Sequence, residues 1–283
     1  GEGQLNMSSL RRIAIAGVGL LGTVAALTAC AGDGQQGIPT ETPEPPTTTS
    51  QNAAPIPTTT TPAPPTGPIV GAVPGDSQAT SALSAFLTDL DTGGVDAVAQ
   101  KCFTIPPNLI PVEYADVSAV LDAAAQPGTA EANLVTWTGP ISTLSIARDE
   151  IASGYACPRV HPTGTEPVYT DLDAVHTVAR YVGRFTGAPA DPADLEGDYP
   201  VVCGTDIAWD AQGTGSPTAP PLANNPGRLT GSASYNPDSV YVAYSNAAYT
   251  TVYADVTNVS GFQQNQIFTL TRDGSGFCIG DVA

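Results

Sequence analysis

The sequence predicts an α+β fold in which helices come first along the chain and an antiparallel sheet follows. Two patterns carry this prediction. Apolar residues recur at helical spacing in residues 79–90 and 114–125, whereas residues 239–244, 249–256 and 266–272 alternate between apolar and polar side chains as strands do. We therefore expect N-terminal helices packed on a meandering antiparallel sheet.

Caps and breakers set the limits of the first helices. Asp76 and Ser77 can cap the first one, and the Asp-Thr-Gly-Gly stretch at residues 91–94 ends it. A short second helix is expected over residues 95–101, before a proline-rich irregular stretch. A Pro-Gly pair at residues 127–128 stops the third helix.

The second half begins with strands and a well-marked helix. Residues 134–137 and 141–146 have the composition of strands. Thr170 begins a helix, because Asp173 three residues later completes a carboxylate variant of the capping box. Gly187 is the expected C-cap of this helix. An Asp-Gly pair then predicts the turn before the last strand.

Composition divides the chain into three regions. Residues 1–29 are an upstream extension and a basic-then-apolar leader. Residues 30–75 are rich in Thr and Pro, which predicts a disordered, semi-rigid tether reaching on the order of 100 Å. Residues 76–283 are long enough for a folded domain, built as one unit or as two halves, 76–168 and 169–283.

The leader has the parts of an export signal. A basic start at residues 7–12 precedes an apolar run, residues 13–27, that is too short and too rich in Gly and Ala for a good membrane span. It ends in Leu-Thr-Ala-Cys at residues 27–30, which resembles the lipobox of bacterial lipoproteins. The overall composition is similar to that of actinobacterial, including mycobacterial, lipoproteins. The resemblance implies a diacylglycerol thioether on Cys30 and anchoring at the extracytoplasmic face of the cell membrane, with a plain signal peptide as the alternative.

The chain is strongly acidic, with a formal net charge of −18. Lys101 is its only lysine, so phosphate contacts to nucleic acid are excluded as a source of affinity. The negative charge opposes binding to anionic lipid headgroups. Membrane anchoring would therefore depend on the diacylglycerol group on Cys30. Acidity also keeps an exported protein soluble, and attraction of a basic partner is the alternative reason for it.

Four cysteines besides Cys30 predict two disulfides, because an even count is typical of exported domains. They are Cys102, Cys157, Cys203 and Cys278. Three pairings are possible, and we favour Cys102–Cys157 with Cys203–Cys278, since each bond then lies within one half of the domain. Each such bond contributes about 4 kcal/mol in the chain-entropy description. The spacings match no Cys-x-x-Cys redox motif and no zinc site, so no metal and no cofactor are expected.

The end of the chain has a resemblance of its own. Two long paired strands followed by Arg-Asp-Gly-Ser-Gly-Phe-Cys at residues 272–278 resemble the end of NTF2-like exported proteins of actinobacteria. The similarity covers residues 230–283 and implies a curved sheet filled by helices. An apolar cavity between helix and sheet would then be the ligand site. The resemblance implies no role for any individual residue.

Two histidines, His161 and His176, are the candidates for acid–base catalysis. No Gly-x-Ser-x-Gly nucleophile elbow accompanies them. His161 falls in a proline-bounded loop and His176 in the capped helix, so we expect surface or packed imidazoles and no catalytic residue.

Acidic and aromatic residues form three further groups. Paired carboxylates can hydrolyse glycosides. The second acidic group lies in a Pro/Ala-rich stretch, where aspartates are commoner in solvated loops. The spacing of its carboxylates is not that of an EF-hand calcium site. The tyrosines fit ordinary half-buried strand positions, with a carbohydrate or partner surface as the alternative. The groups are Asp149 and Glu150; Asp191, Asp194, Glu196 and Asp198; and Tyr235, Tyr241, Tyr244, Tyr249 and Tyr253.

Together these features predict a non-enzymatic, membrane-anchored lipoprotein with a binding or accessory role in the cell envelope. The expected partners are the membrane, through the lipid, and an envelope protein, lipid or glycan. Nucleic acid is not an expected partner. The alternatives are a carboxylate-based cell-wall hydrolase and a structural subunit of a membrane protein complex.

Overall fold

Helices and two antiparallel sheets make up residues 66–283, the part of the chain that the computed structural model describes. The predicted α+β class is confirmed. The leader, Cys30 and most of the tether lie outside the described residues. Within residues 66–283, no helix has the length and apolar character needed to cross a membrane.

The element bounds follow the chain in this order. The helices are α1 Ser77–Ala99, α2 Ile110–Glu113, α3 Val117–Ala124, α4 Arg148–Ile151 and α5 Asp171–Phe185. The strands are β1 Gly128–Ala130, β2 Leu134–Thr138, β3 Ser142–Ala147, β4 Arg159–Pro162, β5 Ser232–Tyr235, β6 Tyr241–Ser245, β7 Thr250–Asn258, β8 Gln263–Arg272 and β9 Phe277–Val282. Two 3₁₀ helices, Pro221–Asn224 and Pro237–Ser239, lie before and after β5.

The strands form two sheets where the sequence suggested one meander. The N-terminal sheet has the order β1-β2-β3-β4. The C-terminal sheet has the order β5-β7-β8-β9, and β6 also pairs with β7. Strands β1, β4 and β5 were not predicted, because each is only three or four residues long and carries few apolar side chains.

Helix α1 contains the break that the sequence predicts. Asp76 caps it, with its Oδ1 accepting a hydrogen bond of 3.0 Å from the backbone N–H of Ala79. Gly94 interrupts it with φ 68° and ψ −164°, a conformation that favours glycine. The result is a long helix and a short one joined at a kink, as expected from the two glycines at residues 93–94.

The first hydrophobic core lies between α1, α3 and the inner face of the N-terminal sheet. Phe86 and Trp137 are fully buried in it. The core begins earlier than the predicted domain boundary at residue 76, because Val73 is buried and the Gly71 carbonyl accepts a hydrogen bond of 2.9 Å from Trp137 Nε1–H. The few apolar residues just before position 76 therefore belong to the fold and not to the tether.

The second hydrophobic core lies between α5 and the C-terminal sheet. Thr170 and Asp173 form the predicted capping box at the start of α5. Val178 on the helix and Val252 and Phe268 on the sheet are fully buried. Buried apolar side chains of the helix and of the sheet therefore meet in this core.

Two disulfides link neighbouring segments of the fold. Cys102 pairs with Cys157 and Cys203 pairs with Cys278, with Cα–Cα distances of 5.6 and 4.8 Å. This is the pairing favoured from the sequence. The first bond belongs to the core beneath the N-terminal sheet, and the second ties the segment after α5 to β9.

Candidate functional site: a charged cleft between the two sheets

A cleft of about 530 Å³ opens between the two parts of the domain. Ser145 on β3 and Arg159 on β4 line it from the N-terminal sheet, and Arg180 lines it from α5. The segment at residues 199–207 and the turn at residues 273–278 complete its walls. The cleft therefore draws on both halves of the chain.

Strand alternation explains why polar side chains face the cleft. On β3, Leu144 and Ile146 are fully buried in the first core. Successive side chains of a strand point to opposite faces, so Ser145 points away from that core. Arg159 is paired with Ser145 in the register of β3 and β4 and lies beside it.

Arg159 is the centre of an ion-pair network at the cleft. Its Nε lies 2.6 Å from Glu113 Oε1, and its Nη1 lies 2.5 Å from Asp173 Oδ1. The guanidinium also lies over the ring of Tyr169, at 5.0 Å from the ring centroid. Burial raises the pKa of Glu113, even though the Arg159 charge opposes the shift. Because Glu113 is on α2 and Asp173 on α5, Arg159 connects the two halves of the domain.

A second network fixes the wall formed by Tyr199. Asp194 accepts hydrogen bonds from Arg180 and Arg184, and Arg184 also pairs with Glu196. Both arginines donate to the Tyr199 carbonyl oxygen, at 3.3 and 2.6 Å. The expectation that the acidic stretch after α5 is a solvated loop was wrong for Asp194, which is only 1% exposed. Two arginines one helical turn apart on α5 hold it in place.

Four carboxylates of the cleft are left without a basic partner. Asp149 and Glu150 lie on α4, Asp206 lies in the loop after Cys203, and Asp273 lies in the turn before β9. Within residues 66–283, none of the four has a basic side-chain nitrogen within 4.0 Å. Burial raises the pKa of Glu150, despite lowering contributions that include the Arg180 charge.

A smaller cavity of about 240 Å³, here called the annex, adjoins the cleft. Phe103, Tyr155 and Tyr199 form aromatic walls, and the Phe103 and Tyr199 rings pack edge to face at 4.9 Å. Thr104 and Glu150 line both spaces and so form the wall shared between them. The Thr104 hydroxyl is buried and has no partner of hydrogen-bonding geometry, although Glu150 lies beside it.

His161 lies on β4, so the prediction of a proline-bounded loop was wrong. Its Nε2 lies 2.8 Å from Ser145 Oγ, and its Nδ1 lies 3.4 Å from Thr165 Oγ1. Thr165 donates its own hydroxyl proton to the Pro162 carbonyl, so it accepts from Nδ1–H, and Nε2 is left to accept from Ser145. Burial lowers the pKa of His161.

This Ser–His pair differs from a catalytic triad. A hydroxyl occupies the position where a triad has an orienting carboxylate. Ser145 is only 2% exposed, which limits its access to a substrate. The sequence did not single out Ser145, because the pair forms across two strands and no local motif marks it.

His176 joins α5 to the segment after the first helices. Its Nε2–H donates to the Phe103 carbonyl oxygen at 2.7 Å. Burial lowers the pKa of His176, which favours the neutral ring. The contact positions Phe103, an annex wall, against α5.

The five tyrosines do not form one surface. Tyr235 packs against the second core, and Tyr249 packs edge to face on Trp209 at 5.0 Å. Tyr241 and Tyr253 pair at 5.6 Å, and Tyr241 and Tyr244 are exposed. None of the five lines the cleft or the annex.

The two remaining carboxylates of the acidic stretch after α5 lie in different surroundings. Asp191 lines the annex, whereas Asp198 is exposed. Within the described part of the chain, no three His, Cys, Asp or Glu side chains are grouped so that they could hold a metal ion.

No protein-family model, curated protein or solved structure matches this chain.

Proposed function

We propose that this protein is a non-enzymatic lipoprotein, anchored through Cys30 at the extracytoplasmic face of the membrane, whose cleft binds a small polar ligand. The observation that carries the proposal is the cleft of about 530 Å³ between the two sheets. Ligand pockets in proteins have volumes of about 300–1,000 Å³ and a few convergent polar groups. This cleft has both properties.

The walls of the cleft are held in place before any ligand arrives. Arg159 ties α2 to α5, and Arg180 and Arg184 hold the Tyr199 wall. The Cys203–Cys278 disulfide fixes the opposite side, where both cysteines line the cleft. Preorganised walls favour binding, because little conformational entropy is lost when the ligand enters.

Two contacts support binding over catalysis. Glu113 and Asp173 are close together, but Arg159 neutralises both, so they are not a free acid–base pair. Ser145 and His161 lack an orienting carboxylate.

The two disulfides fit an oxidising compartment outside the cytoplasm, as the export signal implies.

Occlusion of the cleft tests the binding role. Ala147 lines the cleft at the end of β3, and Ala130 is an exposed residue on β1. With the full-length protein, we expect some members of a panel of water-soluble metabolites and envelope glycan fragments to shift amide NMR signals of cleft residues, and Ala147→Trp to abolish those shifts. The matched Ala130→Trp variant should retain them. A panel that shifts no cleft signal, or equal binding by Ala147→Trp, would refute the proposal.

Glycoside hydrolysis is a second candidate, because carboxylates from both halves of the chain line the cleft. Glu150 is on α4, and Asp206 is in the loop after Cys203. The raised pKa of Glu150 suits a general acid. Release of new reducing ends from cell-wall glycan by the wild type, and its loss in Glu150→Gln, would favour this function over binding alone.

A further inference from the structure

The basic and the acidic side chains that face the cleft differ in whether a partner of opposite charge lies beside them. Arg159 is paired with Glu113 and Asp173, and Arg180 is paired with Asp194. The cationic groups of the cleft are therefore already neutralised by the protein. An anionic ligand would have to compete with these carboxylates for each guanidinium.

Four of the five carboxylates that line the cleft lack such a partner among residues 66–283, the exception being Asp173. Asp149, Glu150, Asp206 and Asp273 have no basic side chain within 4.0 Å among residues 66–283. Asp273 is partly engaged, because its Oδ1 accepts from the N–H and hydroxyl of Ser275. The combined negative charge of the four carboxylates makes the cleft complementary to a cation.

A second feature of the cleft lies at the wall that it shares with the annex. The Thr104 hydroxyl oxygen is buried in this wall, and among residues 66–283 no group meets it with hydrogen-bonding geometry, although the Glu150 carboxylate lies beside it. Glu150 lies in the same wall, and its carboxylate accepts a long hydrogen bond of 3.3 Å from the Cys157 N–H. A buried polar atom without a partner is costly, so a ligand that supplies one is favoured.

The annex adds aromatic surface beside that wall. The rings of Phe103, Tyr155 and Tyr199 line it, and aromatic faces attract cations. Lys101 lies at 5.1 Å from the Tyr155 ring centroid, but its charge is matched by Asp89 at 2.6 Å. Asp191 is a further carboxylate of the annex.

We infer that the ligand of the cleft is an organic cation carrying primary ammonium groups, one of which binds between Glu150 and Thr104. The ammonium donates to the Glu150 carboxylate and the Thr104 oxygen, and the aromatic walls of the annex cover its alkyl part. A second ammonium reaches the carboxylates of the opposite wall, of which Asp206 is exposed to solvent. This inference rests on the proposed ligand-binding role.

Three probes of equal length and different charge test the inference on the full-length protein. They are 1,5-diaminopentane, pentane-1,5-diol and glutarate, followed by amide NMR shifts. We expect only the diamine to shift signals of residues 104, 150 and 206, with an affinity that falls as salt is raised from low to physiological ionic strength. We expect Glu150→Gln and Asp206→Asn each to weaken binding about tenfold. The matched control Asp96→Asn, an exposed site on α1, should have no effect.

The outcomes separate the two proposals. Equal or tighter binding of the diol or glutarate, or an effect of Glu150→Gln and Asp206→Asn no larger than that of Asp96→Asn, would overturn the cationic class. The same holds if other ligands fill the cleft and the diamine does not, and in each of these cases the binding role itself stands. A cleft that binds nothing at all would overturn both.

Discussion

Arg180 holds Asp194 through two parallel hydrogen bonds. Its Nε lies 3.0 Å from Asp194 Oδ2, and its Nη2 lies 2.6 Å from Oδ1. The Asp194 side chain is fully buried, so the pair is shielded from water. It fixes the segment after α5 against the helix, and this segment carries Tyr199, which lines both the cleft and the annex.

We predict that Asp194→Ala lowers the free energy of unfolding by about 3–5 kcal/mol, because it leaves buried guanidinium groups without their carboxylate. Urea denaturation monitored by circular dichroism measures the change. Asp198→Ala is the control, since Asp198 is exposed in the same stretch. Equal stability of the two variants would show that the buried pair does not stabilise the fold.

We also predict that Asp194 makes the protein sensitive to acid. Burial alone would raise the pKa of Asp194, but the hydrogen bonds and charges of Arg180 and Arg184 outweigh it and lower the pKa below its usual value of 3.8. A group whose pKa is lower in the folded state stabilises the fold above its unfolded pKa and loses that contribution as pH falls through the folded pKa. The difference in unfolding free energy between wild type and Asp194→Asn should therefore be constant above about pH 5 and shrink below pH 4. A difference that stays constant down to pH 2.5 would contradict this.

Local signals explain how much of the fold follows from the sequence. The capping box of α5 involves residues three apart, so Thr170 and Asp173 were recognised in the sequence. The cysteine pairing followed from an even count and from keeping each bond within one half of the chain. The short strand β4 carries only four residues, and its pattern is too brief to distinguish a strand from a loop.

The cleft depends on contacts that no local pattern encodes. Arg159 meets Glu113 and Asp173 from positions 46 and 14 residues away, as their numbers show. Ser145 meets His161 only because β3 and β4 pair. Asp149 and Glu150 were candidates from the sequence, but that they face the same space as Asp206 depends on how the two sheets are arranged.

Gly280 provides a prediction about packing near the second disulfide. A Cβ atom at this position would lie 2.1 Å from Cζ3 of Trp209. We expect Gly280→Ala to destabilise the protein by about 1–3 kcal/mol, since the indole is 97% buried by neighbouring groups and has little room to move. Denaturation with Trp fluorescence measures it. Gly197→Ala, where a Cβ meets nothing within 4 Å, should be within about 0.5 kcal/mol of wild type.

Loss of the Cys203–Cys278 bond should lower the free energy of unfolding of the domain. The bond closes a loop of 75 residues, for which the chain-entropy description gives about 4 kcal/mol. We expect the double variant Cys203→Ser/Cys278→Ser to lose about this much stability. The loss of Cys102–Cys157, a loop of 55 residues, should cost a similar amount. Thermal and urea unfolding of both double variants compare them, and an unchanged midpoint for either would contradict the expectation.

The last prediction concerns the lipid anchor. Under the proposed processing at Cys30, residues 1–29 with their net charge of +1 are removed, and the mature chain has a net charge near −19, which anionic headgroups repel. In this proposal the two acyl chains of a diacylglycerol on Cys30 supply the membrane affinity, at about 0.8 kcal/mol for each buried CH₂ group. Cys30→Ser should therefore shift the protein from the membrane to the soluble fraction and abolish incorporation of a labelled fatty acid. Ala31→Ser, which keeps Cys30, should remain membrane-bound, and retention of Cys30→Ser in washed membranes would refute the anchor.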